Sequence, residues 1–340
     1  MISKATQYVT LDEPLPLESG GVLPDVTVAY RSWGEPAGEA IVVCHALTGS
    51  ADADDWWAGL FKPGAILDPE RSYVIASNVL GGCYGTTGPT SLNPATGEPY
   101  GDDFPAITIR DLVAAQKGLL DQLGVTRVSY AIGGSMGGMQ AQEWAALYPD
   151  RVGAAVSIGA GTTHSAWNIA LSDAQRAAIT SAAGPEKGLA IARMIAMISY
   201  RSPENFDSRF GREQGDSGYA VQDYLRYQGE KLVDRFDANS YVTLMNAMDS
   251  HDLARDRDLA SIDTPILTVG ISSDALYPTS DVKRLADSLP HGTYRTLHAT
   301  QGHDAFLIET GELTRIVTSY LSGLDPQYPS GVDGRGSAWA

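Results

Sequence analysis

The stretch "SYAIGGSMGGMQAQEW", residues 129–144, decides how this chain is read. A short apolar run meets a glycine cluster, and a helix-compatible segment follows. Such a cluster can cradle a phosphate on backbone N–H groups, or it can bend sharply enough to expose Ser135 as a nucleophile. A phosphate loop ends in a Lys-Ser/Thr pair and a dinucleotide loop needs G-x-G-x-x-G spacing, and the stretch has neither. Gly133-Gly134-Ser135-Met136-Gly137 fits G-x-S-x-G instead, with strand pattern before it and helix pattern after it. Glycines suit that turn because its backbone is strained and larger neighbours would clash with the adjoining strand and helix.

Outward from this turn, short apolar runs bounded by turn residues recur: "VTVAYRSW", "AIVVCHA", "SYVIASNVL", "RVSYAIGG", "GAAVSIGA", "PILTVGIS" and "TYRTLHA". Each has the length and the Val, Ile and Tyr content of a buried strand. Between them, residues 107–123 place Ile109, Leu112, Val113, Gln116, Leu119, Leu120 and Leu123 at helical spacing, and Gly124 ends the run. Residues 137–148 predict a second helix, stopped before Pro149, and residues 304–321 a third. Alternation of this kind predicts an α/β fold, a mostly parallel sheet with helices on both faces. A long interval with helical patterning, as in "GLAIARMIAMISYR", interrupts the rhythm. The expected organisation is a core of residues 1–160 and 261–325, a helical lid inserted over 161–260, and a disordered Gly/Pro/Ser-rich tail over 326–340.

The formal net charge of −17 excludes a chain built to hold nucleic acid or an anionic membrane, which need basic surfaces. Two cysteines, Cys44 and Cys83, without close spacing, suggest neither a disulfide framework nor a zinc site. With no signal-peptide pattern at its start and no apolar run of spanning length, the chain is expected to be cytoplasmic, with small-molecule substrates and no metal.

A serine hydroxyl needs a base and an orienting carboxylate, which follow in the order Ser, Asp, His in this type of fold. Of six histidines, His45 and His164 fall in other loops, His251 in the insertion, and His291 and His298 at or in a strand. His303, in "HATQGHDAFLIE", falls between the last strand and the last helix, where the base belongs. Asp274, in "PILTVGISSDALYP", follows the preceding strand, whereas its rival Asp281 lies inside the next helix. The two oxyanion donors are expected from the backbone N–H groups of Met136 and of Leu47 in "VVCHALTGS". His45 in that loop is read as packed or backbone-bonded, with no catalytic part.

The runs "HALTGS", "SNVLGGCYGTTGPTSLNPATGEPYGDDFP", "TIRD", "GGSMGGMQ", "ISYRSPE" and "GHDAFL" together resemble the homoserine O-acetyltransferase family of the α/β-hydrolase fold, over residues 25–309. The resemblance implies a ping-pong reaction with acetyl-CoA as co-substrate and no permanently bound cofactor. An acetyl group would pass through Ser135 to the hydroxyl of L-homoserine, in methionine biosynthesis. It also implies that Arg201 holds the amino acid's carboxylate and Asp304 its ammonium, and that the chain forms a homodimer. Without it, Arg201 reads as a surface ion pair and Asp304 as the cap of the last helix. Relatives with nearly the same motifs use succinyl-CoA, or serine as acceptor. A serine hydrolase would need only the triad and water, and a binding module none of this chemistry.

Overall fold

The computed structural model describes residues 2–324, so the tail expected over 326–340 lies outside the described residues. Its centre is an eight-stranded sheet of β1 (Gln7–Thr10), β2 (Thr27–Trp33), β3 (Glu39–Cys44), β4 (Val74–Ser77), β5 (Arg127–Gly134), β6 (Ala155–Ile158), β7 (Ile266–Ile271) and β8 (Gly292–Leu297). They lie in the order β1-β2-β4-β3-β5-β6-β7-β8. β1 pairs antiparallel with β2, and β2 with β4, while every later pairing is parallel.

Strand alternation explains why the central strands read as unbroken apolar runs. Val42 and Cys44 of β3 face one core layer, and Ile41 and Val43 face the other. A sheet covered on both faces needs apolar residues at every position. The first layer is completed by α1 (Ile109–Gln122), α2 (Met136–Leu147) and, late in the chain, the helix Thr279–Asp287, through Leu112, Leu119, Trp144 and Leu285. The second is completed by the C-terminal helix Thr310–Ser322 and the turn Ala53–Trp56 with its neighbour Trp57, through Leu313, Val317 and Trp57.

α1 starts two residues later than the apolar spacing suggests. The reason is its cap: the Thr108 side chain accepts from Asp111 N, and the Asp111 carboxylate accepts from Thr108 N. Gly124, at φ +70°, releases the chain from the helix into β5.

Between β6 and β7 lie a two-residue ladder, a 3-10 turn (Leu259–Ser261) and five α-helices: α3 (Ala166–Ser181), α4 (Pro185–Tyr200), α5 (Pro203–Phe210), α6 (Ala220–Val233) and α7 (Ala238–Asp249). Ser165, Ser202 and Asp237 cap α3, α5 and α7 with their side chains. α8 (Thr279–Asp287) and α9 (Thr310–Ser322) follow β7 and β8.

The single helix expected over 304–321 is instead broken. A 3-10 turn (Gly302–Asp304) and one helical turn (Ala305–Ile308) precede α9, and Glu309 between them has φ −84° and ψ 48°. The apolar period runs through the break, which is why the sequence reads as continuous. The break frees the Phe306 carbonyl, which accepts from Trp57 Nε1 at 2.9 Å. β1 was also absent from the expected strands. It is a four-residue, mostly exposed edge strand with little apolar signal. Among the described residues, no helix is long and apolar enough to cross a membrane.

Candidate active site

Leu47, Ser135, Asp274 and His303 fall after the carboxyl ends of parallel strands. β3 leads into His45 and Leu47, β5 into Ser135, β7 into Asp274, and β8 into His303. Loops at this edge of a parallel sheet converge on one crevice.

Ser135 sits at φ 58°, ψ −125°, a conformation that costs a non-glycine residue roughly 1–3 kcal/mol. Its own N–H donates to the Ile158 carbonyl at 2.8 Å, which ties the turn to β6. The turn is possible only because the backbones on either side touch. A Cβ at Gly137 would lie 2.1 Å from the Cys44 carbonyl oxygen, and one at Gly133 would lie 2.4 Å from the Gly137 carbonyl. Gly137→Ala therefore forces β3 and α2 apart. The expected outcome is a loss of at least about 1–3 kcal/mol, read as a lowered melting temperature.

His303 is almost fully buried, and its Nδ1 donates to Asp274 Oδ2 at 2.6 Å. The other oxygen, Asp274 Oδ1, accepts from the N–H groups of Leu276 (2.8 Å) and Tyr277 (2.9 Å), so the carboxylate is held rigidly. With Nδ1 committed, Nε2 of the neutral ring is left as the acceptor, and it is buried without a protein partner. Burial is the largest influence on this imidazole and pulls its pKa down. The charge and hydrogen bond of Asp274, helped by Asp304, outweigh it and hold the pKa above 6.5. Tyr277 and Tyr200 flank the ring at centroid distances of 5.2 and 5.9 Å.

Asp281 lies in α8, as its place in the sequence indicated, and Asp274 is the carboxylate that meets His303. Leu47 and Ser135 border the same narrow cleft. Met136 is the first residue of α2, so its N–H has no acceptor within the helix.

His45 acts as a strut for the loop carrying Leu47. Its Nδ1 donates to the Ala46 carbonyl at 2.8 Å, and its Nε2 accepts from Val79 N at 3.1 Å. Burial, only partly opposed by the Ala46 carbonyl, lowers its pKa to about 4, so it is a neutral backbone-bonded ring. Gln140 Nε2 donates to the carbonyls of His45 and Met136, joining the loop that carries Leu47 to the start of α2.

Arg201 and Asp304 meet each other beside His303. Arg201 Nε lies 3.0 Å from Asp304 Oδ2, with both side chains only 17% exposed. The N–H does not point at the oxygen, so the contact is ionic rather than a directed hydrogen bond. Asp304 precedes the turn Ala305–Ile308 without capping it. Burial raises its pKa, against the opposing charges of Arg201 and His303.

Helices inserted between β6 and β7 line the cleft. α3 supplies Asn168 and Gln175, the end of α4 supplies Tyr200, and α7 supplies Met245 and Met248. Sequence reading passed over Tyr277, which follows Asp274 by three residues, and the pair of His164 with Asp249, whose Nδ1–Oδ1 distance is 2.7 Å. The spacing in "SSDALYP" was the available signal for the first. The second joins positions 85 apart and has none. Among the described residues, no group of three or more His, Cys, Asp or Glu side chains is placed to hold a metal ion.

Residues 39–310 match the model of the α/β-hydrolase fold family. The chain is 50% identical over 341 residues to a homoserine O-acetyltransferase of Nostoc punctiforme, covering 93% of this chain and 96% of the relative. Among solved structures, a homoserine O-acetyltransferase from Staphylococcus aureus superposes with a TM-score of 0.80 at 29% identity, covering 95% of this chain and 98% of that one. Esterase E22 superposes with a TM-score of 0.83 at 26% identity, covering 93% and 99%.

Proposed function

This chain belongs to the homoserine O-acetyltransferase family of the α/β-hydrolase fold, and we propose that it moves an acetyl group from acetyl-CoA to the hydroxyl of L-homoserine through an acetyl-serine. The observation that carries this reading is an ion pair, Arg201–Asp304, set against a buried His303–Asp274 dyad near an elbow serine. A hydrolase acting with water needs the dyad and the serine. It has no use for a cation and an anion side by side at the base.

In the first half-reaction His303 Nε2 takes the Ser135 proton as Oγ attacks the thioester carbonyl. The N–H groups of Leu47 and Met136 stabilise the oxyanion, and the thiolate leaves with the proton from His303. In the second, His303 takes the proton of the homoserine hydroxyl as it attacks the acetyl-serine. It hands that proton to Ser135 Oγ as the bond from that oxygen to the acetyl carbon breaks and the ester leaves. Arg201 receives the amino acid's carboxylate and Asp304 its ammonium. A zwitterion entering between them replaces one ion pair by two and adds no net charge to a buried place. The planar guanidinium suits a carboxylate.

Thiol release from acetyl-CoA and succinyl-CoA, each against homoserine, serine and water, tests the reading. Fast turnover with acetyl-CoA only in the presence of homoserine is expected. Equal release with water alone would select the hydrolase, the second reading, which the likeness to esterase E22 favours. Arg201→Ala is expected to raise the homoserine KM about 100-fold, as for a lost charge-assisted carboxylate contact, while single-turnover acetylation of Ser135 stays within about twofold. An unchanged homoserine KM would reject the clamp.

A further inference from the structure

The cleft holding Ser135 has polar groups that the proposed chemistry does not use. Most are already engaged within the protein. Asn168 Nδ2 donates to the Leu276 carbonyl, Gln175 is bonded at both ends of its amide, and Ser199 Oγ donates to Ala196. Two are not. Tyr277 is 2% exposed, and its hydroxyl is buried without a hydrogen-bond partner. His164 also lines the cleft; its Nδ1 is committed to Asp249, which Arg176 also holds at 2.5 Å, and Nε2 is the ring nitrogen left for a guest. The two rings lie side by side, with centroids 6.0 Å apart and planes at 34°. Leaving a buried hydroxyl unsatisfied is unfavourable, and a guest that accepts from it removes that cost.

The chemistry of the guest follows from what surrounds these groups. No Lys, Arg, Asp or Glu lines the cleft among the described residues, so a charged group entering it would have no counter-charge. Apart from its reacting hydroxyl, homoserine has only charged polar groups, and the ion pair that suits them, Arg201–Asp304, is not part of the cleft lining. The remaining source is the acyl donor. Its pantetheine arm carries a secondary amide two methylenes from the thioester sulfur. An amide offers one acceptor and one donor, the complement of a phenol O–H and an imidazole lone pair. Leu47, Leu171, Met245, Met248 and Leu276 supply apolar walls for an unbranched chain.

On the acyl-transfer reading above, we propose that Tyr277 and His164 form a subsite for the amide of the thioester donor, with the Tyr277 hydroxyl donating to its carbonyl and His164 Nε2 accepting from its N–H. Tyr277 is then a binding residue for the donor rather than for the amino acid.

The test compares acetylation of Ser135 by two thioesters, S-acetyl-N-acetylcysteamine, which keeps the amide, and S-butyl thioacetate, which lacks it. The wild-type chain is expected to prefer the first by about tenfold or more in kcat/KM. Tyr277→Phe keeps the ring packed on His303 and removes only the hydroxyl. It is expected to erase most of that preference, with the homoserine KM unchanged and the melting temperature equal or higher. His164→Gln, which retains hydrogen-bonding capacity, is expected to keep part of the preference. An undiminished preference in Tyr277→Phe, or an effect confined to the homoserine KM, would overturn the subsite. Thiol release absent from the wild-type chain with every thioester would overturn the acyl-transfer reading itself, and the subsite with it.

Discussion

Replacing Ser135 by alanine is expected to reduce acetyl transfer by on the order of 10⁵-fold, with no acyl adduct on the chain by intact mass. The size of the effect follows from the absence of another nucleophile in position. His303 Nε2 is buried with no protein partner, and among the described residues Ser135 is the one non-glycine residue held at positive φ at the end of a central strand. The fold should survive, because Ser135 makes its structural contact through backbone N–H, which alanine keeps. Ser135→Gly makes a useful companion. It is equally inactive, yet it relieves the strain of φ 58°, so its melting temperature is expected to match or exceed that of Ser135→Ala. An acyl adduct retained by either variant would show that the nucleophile lies elsewhere.

How much of this was readable in advance depended on whether the information is local. The runs that form β3 to β7 are legible because burial on both faces of the sheet makes a strand continuously apolar, and that is visible in any one segment. β1 escaped notice because it is an edge strand, exposed at three of its four positions, so no apolar pattern is demanded of it. The break at Glu309 escaped because Phe306, Leu313, Val317 and Tyr320 keep a helical period across it, and the tie to Trp57 is 249 residues away. At the site, Ser135 is announced by its own glycines, and Asp274 and His303 by their places after strands. Nothing local distinguishes Arg201 from a surface arginine or Asp304 from a helix cap, and family likeness alone assigned them. Their pairing at 3.0 Å is a property of the folded chain. His164 and Asp249 are further removed still, since only the packing of the inserted segment between β6 and β7 brings them together.

Asp274→Asn should give the second large effect, about 10⁴-fold in kcat, with a change in pH dependence that a packing defect would not produce. In the native chain Asp274 Oδ2 only accepts, so His303 Nδ1 must carry the proton and Nε2 is available as base. An asparagine can keep an oxygen toward the Leu276 and Tyr277 N–H groups, where Oδ1 now sits. Its NH₂ then faces His303 Nδ1, which becomes the acceptor, and the ring proton moves to Nε2. A protonated Nε2 cannot take the proton of Ser135. The pH profile follows from the signs of the same interactions. The base acts only when neutral, so native activity should fall as pH drops through a His303 pKa held above 6.5. Removing Asp274 deletes both of its upward influences and leaves burial, which pulls downward, with the smaller upward pull of Asp304. The acid limb of the residual activity should therefore move to lower pH even as its maximum collapses. A loss under tenfold with an unmoved acid limb would mean that neither the tautomer nor the charge of His303 depends on Asp274, and the dyad would have to be abandoned as the source of the base.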